Sequence, residues 1–138
     1  DYAHTPDAFK NIYENISILK QKNKKIISLF GCGGDRDKTK RPLMAKIAEQ
    51  YSHLIYLTND NPRFENEDTI LKDITSELKT DNYLIKKNRK KAINTALSNH
   101  SDSIILILGK GIEEYQITGN KKIPHSDIKI VTDYKYAN

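Results

Sequence analysis

A single cysteine, Cys32, stands in a chain of 138 residues. One thiol cannot close an internal disulfide or supply a thiolate cluster for a structural zinc. Secretion is therefore not suggested, and the reducing interior of a cell, the cytoplasm, is the expected setting. Long apolar runs are missing as well. None approaches the roughly 20 residues that a spanning helix needs, so no membrane association is expected. The histidines His4, His53, His100 and His125 show no metal-ligand spacing, and no bound metal is expected from this chain alone. Neither a linker, an internal repeat nor a low-complexity segment interrupts the sequence, which reads as one domain over residues 1–138. It opens at Asp1 with no Met, basic n-region or apolar h-region, as a piece of a longer polypeptide would.

What is present is a moderately basic, mixed composition. Lys and Arg number 23 against 18 Asp and Glu, a net charge of +5, and 37% of the residues are hydrophobic. That suffices for a layered core. Two basic clusters, Lys20 to Lys25 and Lys86 to Lys91, raise the possibility of a nucleic-acid surface, but no helix-turn-helix, zinc or RNP-type signature accompanies them. Charge runs at helix ends are usually solvated faces.

Thr5-Pro6-Asp7 predicts a helix start, with a hydroxyl N-cap and Pro at the first helical position. Phe9, Ile12, Tyr13, Ile16 and Leu19 follow at helical spacing. Ile26 to Phe30 is then a short, nearly continuous apolar run of the kind buried on both faces of a parallel sheet. The unit recurs: Pro42 opens a helical pattern through Leu43, Ile47, Ala48 and Tyr51, and Leu54 to Thr58 forms a second run. Further helical patterns carry Ile70, Leu71, Ile74 and Leu78, then Ala92, Ile93, Ala96 and Leu97, before a third run from Ile104 to Leu108. The expected fold is α/β, a Rossmann-like open and mostly parallel sheet flanked by helices. The tail from Ile117, with a turn at Thr118-Gly119-Asn120 and a strand over Ile128 to Val131, reads as a hairpin or edge strand.

Three segments of unusual composition end the apolar runs: Gly31 to Arg36, Asn59 to Arg63, and Gly109 to Glu113. Ligands of open α/β sheets bind beyond the carboxyl ends of the strands, so these segments are expected to converge on one edge. The first fails the dinucleotide fingerprint, because position 36 is Arg rather than Gly. A Walker A loop is absent too, since Gly34 to Thr39 lacks the Gly before Lys and Gly109-Lys110-Gly111 is too short. A turn that lets backbones approach is the plain reading of Gly31 to Gly34. Asp60-Asn61-Pro62-Arg63 could hold a zwitterion, the Arg fork taking a carboxylate and Asp with the amide oxygen taking an ammonium. From spacing alone, an Asx-turn with a solvated Arg63 is equally admissible. Glu113 could meet a ligand cation or sit in a helix's first turn. His4 and Asp1 lie in a polar stretch before the first helix, and a lone surface His is more often simply solvated.

Taken in order, Asp1 to Ala8, Gly31-Cys32-Gly33-Gly34-Asp35-Arg36-Asp37-Lys38, Lys40-Arg41-Pro42-Leu43-Met44, Asp60-Asn61-Pro62-Arg63 and Gly109-Lys110-Gly111 with Glu113 and Tyr115-Gln116 resemble the C-terminal domain of the Mur ligases that add meso-diaminopimelate to the bacterial peptidoglycan stem peptide. The resemblance covers nearly the whole chain. It implies the third domain of a three-domain ATP-dependent ligase, whose N-terminal and central domains hold UDP-N-acetylmuramoyl-L-alanyl-D-glutamate and the P-loop. In the family, ATP phosphorylates the terminal carboxylate of that substrate, and the amino acid's amine attacks the acyl phosphate, with Mg²⁺ neutralising charge.

Position by position, the resemblance assigns Arg36, Asp60, Asn61, Pro62, Arg63, Gly109 and Glu113 to the diaminopimelate pocket, and Asp1 and His4 to ATP. No catalytic residue and no metal ligand falls within the domain; Mg²⁺ would be held mainly by the other domains, and the isolated domain would be inactive. The residue types agree with this: Arg63 and Arg36 suit the carboxylates of a diamino diacid, while Asp60 and Glu113 suit its ammonium groups. Lysine-adding relatives typically lack the Arg at position 63. The chain departs from the family at Thr39, usually Gly, and at Ile112, usually His beside the pocket, and its tail after Asp133 looks short enough for a final helix to be missing. The alternative reading is a non-catalytic basic α/β module binding nucleic acid or an acidic partner. A nucleotide-binding domain acting alone is disfavoured by the missing third Gly.

Overall fold

The computed structural model describes residues 1–19 and 23–137, with only the backbone of Leu19; Lys20, Gln21 and Lys22 of the Lys20 to Lys25 cluster therefore lie outside the described residues. Helix α1 (Pro6–Leu19) begins where Thr5 Oγ1 accepts the Ala8 N–H at 3.2 Å, as the N-cap pattern predicts. It leads into β1 (Ile26–Phe30), α2 (Lys40–Tyr51), β2 (Leu54–Leu57), α3 (Glu67–Thr75), β3 (Tyr83–Ile85), α4 (Arg89–Asn99) and β4 (Ile104–Ile107). The chain closes with β5 (Tyr115–Thr118), β6 (Lys121–Pro124) and α5 (Asp127–Ala137). The four strands β3-β2-β1-β4 pair in parallel in that order, and β5 and β6 form an antiparallel hairpin.

The strand pleat sorts the core into two layers. Ile26, Phe30, Ile55 and Leu57 meet Phe9 and Tyr13 of α1, Met44, Ala45 and Ala48 of α2, and Ile70, Leu71 and Ile74 of α3. On the opposite face Ile27, Leu29 and Tyr56 meet Ala92, Ile93 and Ala96 of α4 and Ile130 of α5. Burial on both faces is why β1 reads as a continuous apolar run. Ser28 sits in that run without penalty, because Tyr13 Oη donates to its Oγ at 2.6 Å and Ser52 Oγ lies at the same distance.

Several expectations are corrected. Ile128 to Val131 is not a strand but the first half of α5: Ile130 packs on α4, Ser126 Oγ accepts the Lys129 N–H, and Asp127 is tied to Arg89. β3 is a strand that the pattern did not show, since Leu84 and Ile85 are about half exposed at the sheet edge. β4 is the other edge and is only half buried, despite its apolar run. α2 starts two residues before Pro42, and its buried side is Met44, Ala45 and Ala48, with Leu43 47% exposed.

Within the second basic cluster, the Lys86 N–H pairs with Leu57 O in the sheet, and Arg89 is buried rather than solvated. Arg89 Nε and Nη2 donate to both Asp127 carboxylate oxygens, Nη2 also donates to Leu108 O, and His125 Nε2 lies 2.7 Å from Asp127 Oδ1. Burial alone would raise the Asp127 carboxyl, but His125 and Arg89 more than offset it and hold it down at about 2. The Arg41 hydrogen bond holds Glu65 at about 2 in the same way. Both carboxyls titrate below their unfolded values, so their stabilisation is complete above those values and is lost as pH falls through the folded ones. The urea midpoint should therefore hold from pH 7 to 5 and fall between about pH 4.5 and 2; a midpoint flat across that window would contradict these pairings.

Candidate functional site

The three segments do converge at the carboxyl ends of the strands, around a cavity of about 380 Å³. Arg36, Asp60, Asn61, Arg63, Glu113 and His4 line it together with Cys32 and Arg41. Of the other expected residues, Pro62 borders a separate cleft, Asp1 is exposed at the rim, and Gly109 contributes backbone behind Asp60. Gly109 has φ +108°, and a Cβ there would come 2.8 Å from Asp60 Oδ2, so this position needs Gly for both conformation and space. Its N–H donates to the Asp1 carbonyl, which fixes the rim to the floor.

The first two segments are zipped together. Gly34 N–H donates to Asn61 O at 2.9 Å, Asp35 N–H to Glu65 Oε2, and Phe64 N–H to Asp35 Oδ2. Arg41, fully buried, holds the zipper from below through Glu65, Asp73 and the Gly33 carbonyl at 2.7–3.0 Å. Gly31 to Gly34 is therefore a pinned wall of the cavity.

Arg63 is not merely solvated. Its Nη1 donates to Gly34 O at 2.9 Å and to Asn61 O at 3.4 Å, which leaves Nε and Nη2 of the planar fork for a ligand. Its backbone has φ +53°, a strained conformation for a residue with a Cβ. The hairpin imposes it: Arg63 N–H donates to Ile117 O at 3.0 Å, and Gly119 N–H to Arg63 O at 2.7 Å. Gln116 Nε2 adds bonds to the Asn59 and Asp60 carbonyls. A hairpin far along the sequence thus aims the guanidinium.

The floor is a buried charge cluster that pattern reading missed. Lys110 is fully buried, with Nζ 2.6 Å from Asn61 Oδ1, 2.7 Å from Glu113 Oε2 and 3.3 Å from Asp60 Oδ1. Burial tends to raise the Glu113 carboxyl, but Lys110, with Asn61 and His4, outweighs it and holds the group below its ordinary value. Both Asp60 carboxylate oxygens are buried and accept no hydrogen bond among the described residues, Lys110 standing only at ion-pair distance from Oδ1, an arrangement that costs free energy until a ligand donates to them. Cys32 is no nucleophile: burial, then the neighbouring Asp60, pushes its thiol up to about 12. The departures prove peripheral. Ile112 is 83% exposed, and exposed Thr39 donates its N–H and its hydroxyl locally to Asp37 Oδ1.

Residues 1–111 match the family described as Mur ligase, glutamate ligase domain. The chain belongs to the Mur ligase family. This Mur ligase domain is 50% identical over 140 residues to UDP-N-acetylmuramoyl-L-alanyl-D-glutamate–2,6-diaminopimelate ligase of Helicobacter pylori, covering 100% of the chain and 30% of that protein. It is 47% identical over 136 residues to the corresponding ligase 1 of Clostridium acetobutylicum, covering 97% and 28%. The chain therefore spans less than a third of the length of these relatives. A solved structure of a ligase of the same name superposes with a TM-score of 0.91 at 32% identity, over 99% of this chain and 28% of that one. A Mycobacterium tuberculosis folylpolyglutamate synthase shares the fold alone, with a TM-score of 0.63 at 18% identity over 79% of this chain and 26% of that one.

Proposed function

We propose that this Mur ligase domain receives meso-diaminopimelate in the cavity between Arg63 and Glu113, as part of a full-length ATP-dependent ligase that joins it to UDP-N-acetylmuramoyl-L-alanyl-D-glutamate in peptidoglycan precursor synthesis. The observation that carries the reading is the pairing of a guanidinium and a buried carboxylate floor across one cavity. Arg63, with Arg36 at the exposed edge, takes the carboxylate of one amino-acid end. Asp60 and Glu113 take its ammonium, which supplies the donors that the Asp60 oxygens lack. The other end then lies at the mouth near Tyr2 and His4, where its amine can reach the activated carboxyl of the partner substrate.

Asp1 and His4 fit the nucleotide side. Asp1 is exposed and free to accept from a sugar diol, and His4 stands edge-to-face on Tyr2 with ring centroids 4.5 Å apart. Among the described residues no group of three or more His, Cys, Asp or Glu converges, and Asp60 is already paired with Lys110. The other domains of the polypeptide would supply the metal and the P-loop. No helix among the described residues is long and apolar enough to cross a membrane.

The alternative, a basic module for nucleic acid or an acidic partner, is not favoured. What weighs against it is the match of residues 1–111 to the Mur ligase family and the 47–50% identity to ligases over nearly the whole chain. The test is product formation. The full-length protein with ATP, UDP-N-acetylmuramoyl-L-alanyl-D-glutamate and meso-diaminopimelate should release one ADP per amide formed, seen by mass spectrometry. ATP cleavage that ignores the amino acid would refute the assignment.

A further inference from the structure

The Lys110 ammonium is unusual in being both fully buried and shared among three side chains of the cavity floor. Two consequences follow from its position. The first concerns Asn61. Its Oδ1 accepts from Lys110 Nζ at 2.6 Å and from the Ile117 N–H at 2.9 Å. Both partners are donors only, so the carboxamide oxygen must face them and the Nδ2 must face the cavity side, where it meets Glu113 Oε2 at 3.3 Å. The second concerns charge. Asp60 and Glu113 carry two negative charges against the one positive charge of Lys110, which leaves the floor with one net negative charge. A floor with none would not select a cation, and a floor with two would be costly to bury and would favour protonation of one carboxyl.

We propose that Lys110 is the positioning residue that sets amine recognition in this cavity, by locking the Asn61 carboxamide and by tuning the Asp60–Glu113 pair to accept a single ammonium group. The inference rests on the reading of the cavity as the amino-acid site and adds to it the reason why one amino-acid end, and not a bare diamine, is held there: one ammonium beside one carboxylate-binding Arg63. Lys110 itself acts through its neighbours. Its aliphatic stem and Tyr115, whose ring centroid is 5.9 Å from Nζ, close the floor from the β5 side.

The groups that face this cluster are Tyr2 and His4 from the first segment, Asp60 and Arg63 from the loop after β2, Arg36 across the cavity, Glu113 on its own loop and Tyr115 of β5. With Lys110 gone, only Asn61 and His4 remain to hold the Glu113 carboxyl down, so its titration should move upward.

The test uses the full-length ligase. Wild-type protein must first show turnover that depends on meso-diaminopimelate; without it the reading of the site fails. With that turnover present, Lys110→Met should raise the KM for diaminopimelate at least tenfold, with the KM for ATP unchanged and kcat altered less. The acid limb of its kcat/KM profile for diaminopimelate should shift to higher pH. Glu113→Gln should cost at least fivefold less in the Lys110→Met background than in the wild type, because the two changes together restore the charge balance. Should Lys110→Met fail to fold, Lys110→Gln, which keeps a donor for Asn61 but no charge, must show the same pH shift with a smaller rise in KM. A KM for diaminopimelate and a pH profile that match the wild type in whichever variant folds would overturn the proposal and leave the site reading intact.

Discussion

Replacing Arg63 with alanine in the full-length protein is expected to lower kcat/KM for meso-diaminopimelate by about 10³-fold, while L-lysine, expected to be a poor substrate of the wild type already, changes by less than about tenfold. The asymmetry comes from what each amino acid does with the guanidinium. Diaminopimelate would bring a second carboxylate to the fork left open at Nε and Nη2. Lysine has none and would leave a half-buried, oriented cation without its partner, so on the proposed reading the site would discriminate by the cost of an unmade charge-assisted bond. Arg63 is also held ready before any ligand arrives. Its φ of +53° is imposed by the β5–β6 hairpin, so little ordering cost falls on binding. Arg63→Lys should recover little of the loss, because an ammonium cannot reproduce a planar fork. Equal losses on both amino acids would mean that Arg63 supports the fold rather than the choice of substrate.

The second large effect lies outside the cavity. Asp127→Ala should destabilise the α4–α5 side by about 3–5 kcal/mol, because it strands the fully buried Arg89 without its carboxylate. Measured in the full-length protein, amide exchange in α4 and β4 should quicken by about 10²–10³-fold, since each 1.4 kcal/mol is a factor of ten in the opening equilibrium. Arg89 also donates to the Leu108 carbonyl, one residue before the Gly109 loop, so the same variant should loosen the cavity floor. A double change to apolar residues, Arg89→Met with Asp127→Leu, should regain most of the stability, because neither charge is then left buried alone. Unchanged exchange in Asp127→Ala would show that the pair contributes nothing.

Much of this was legible in the sequence wherever a local rule and the tertiary setting agree. Thr5-Pro6 marks a helix start by hydroxyl and ring chemistry alone, and Ile26 to Phe30 announces a strand covered on both faces. The strand-end segments were legible as loops that gather at one sheet edge, because each follows an apolar run of a parallel sheet. The misread elements are those in which a distant partner decides. Ile128 to Val131 alternates like a strand, yet Asp127 is drawn to Arg89 and Ile130 to α4, and the segment is helical. Tyr83 to Ile85 shows no apolar alternation because it needs only one paired edge.

Lys110 is the clearest case. Between two glycines it looks like a fragment of a phosphate loop, and nothing nearby in sequence says that it will be buried. Its burial follows only when Asp60 and Asn61, brought by β2 from beyond the intervening β1, supply the charge and the acceptor that make a buried ammonium tolerable. Arg41 was hidden for the same reason: its partners Glu65 and Asp73 belong to the loop before α3 and to α3 itself.

The most direct measurement offers meso-diaminopimelate and L-lysine together, at equal concentration, to the wild-type full-length protein with ATP and UDP-N-acetylmuramoyl-L-alanyl-D-glutamate, and weighs the two products by mass spectrometry. The cavity described here predicts a diaminopimelate product in excess by about 10³-fold or more. Comparable amounts of the two products would contradict it.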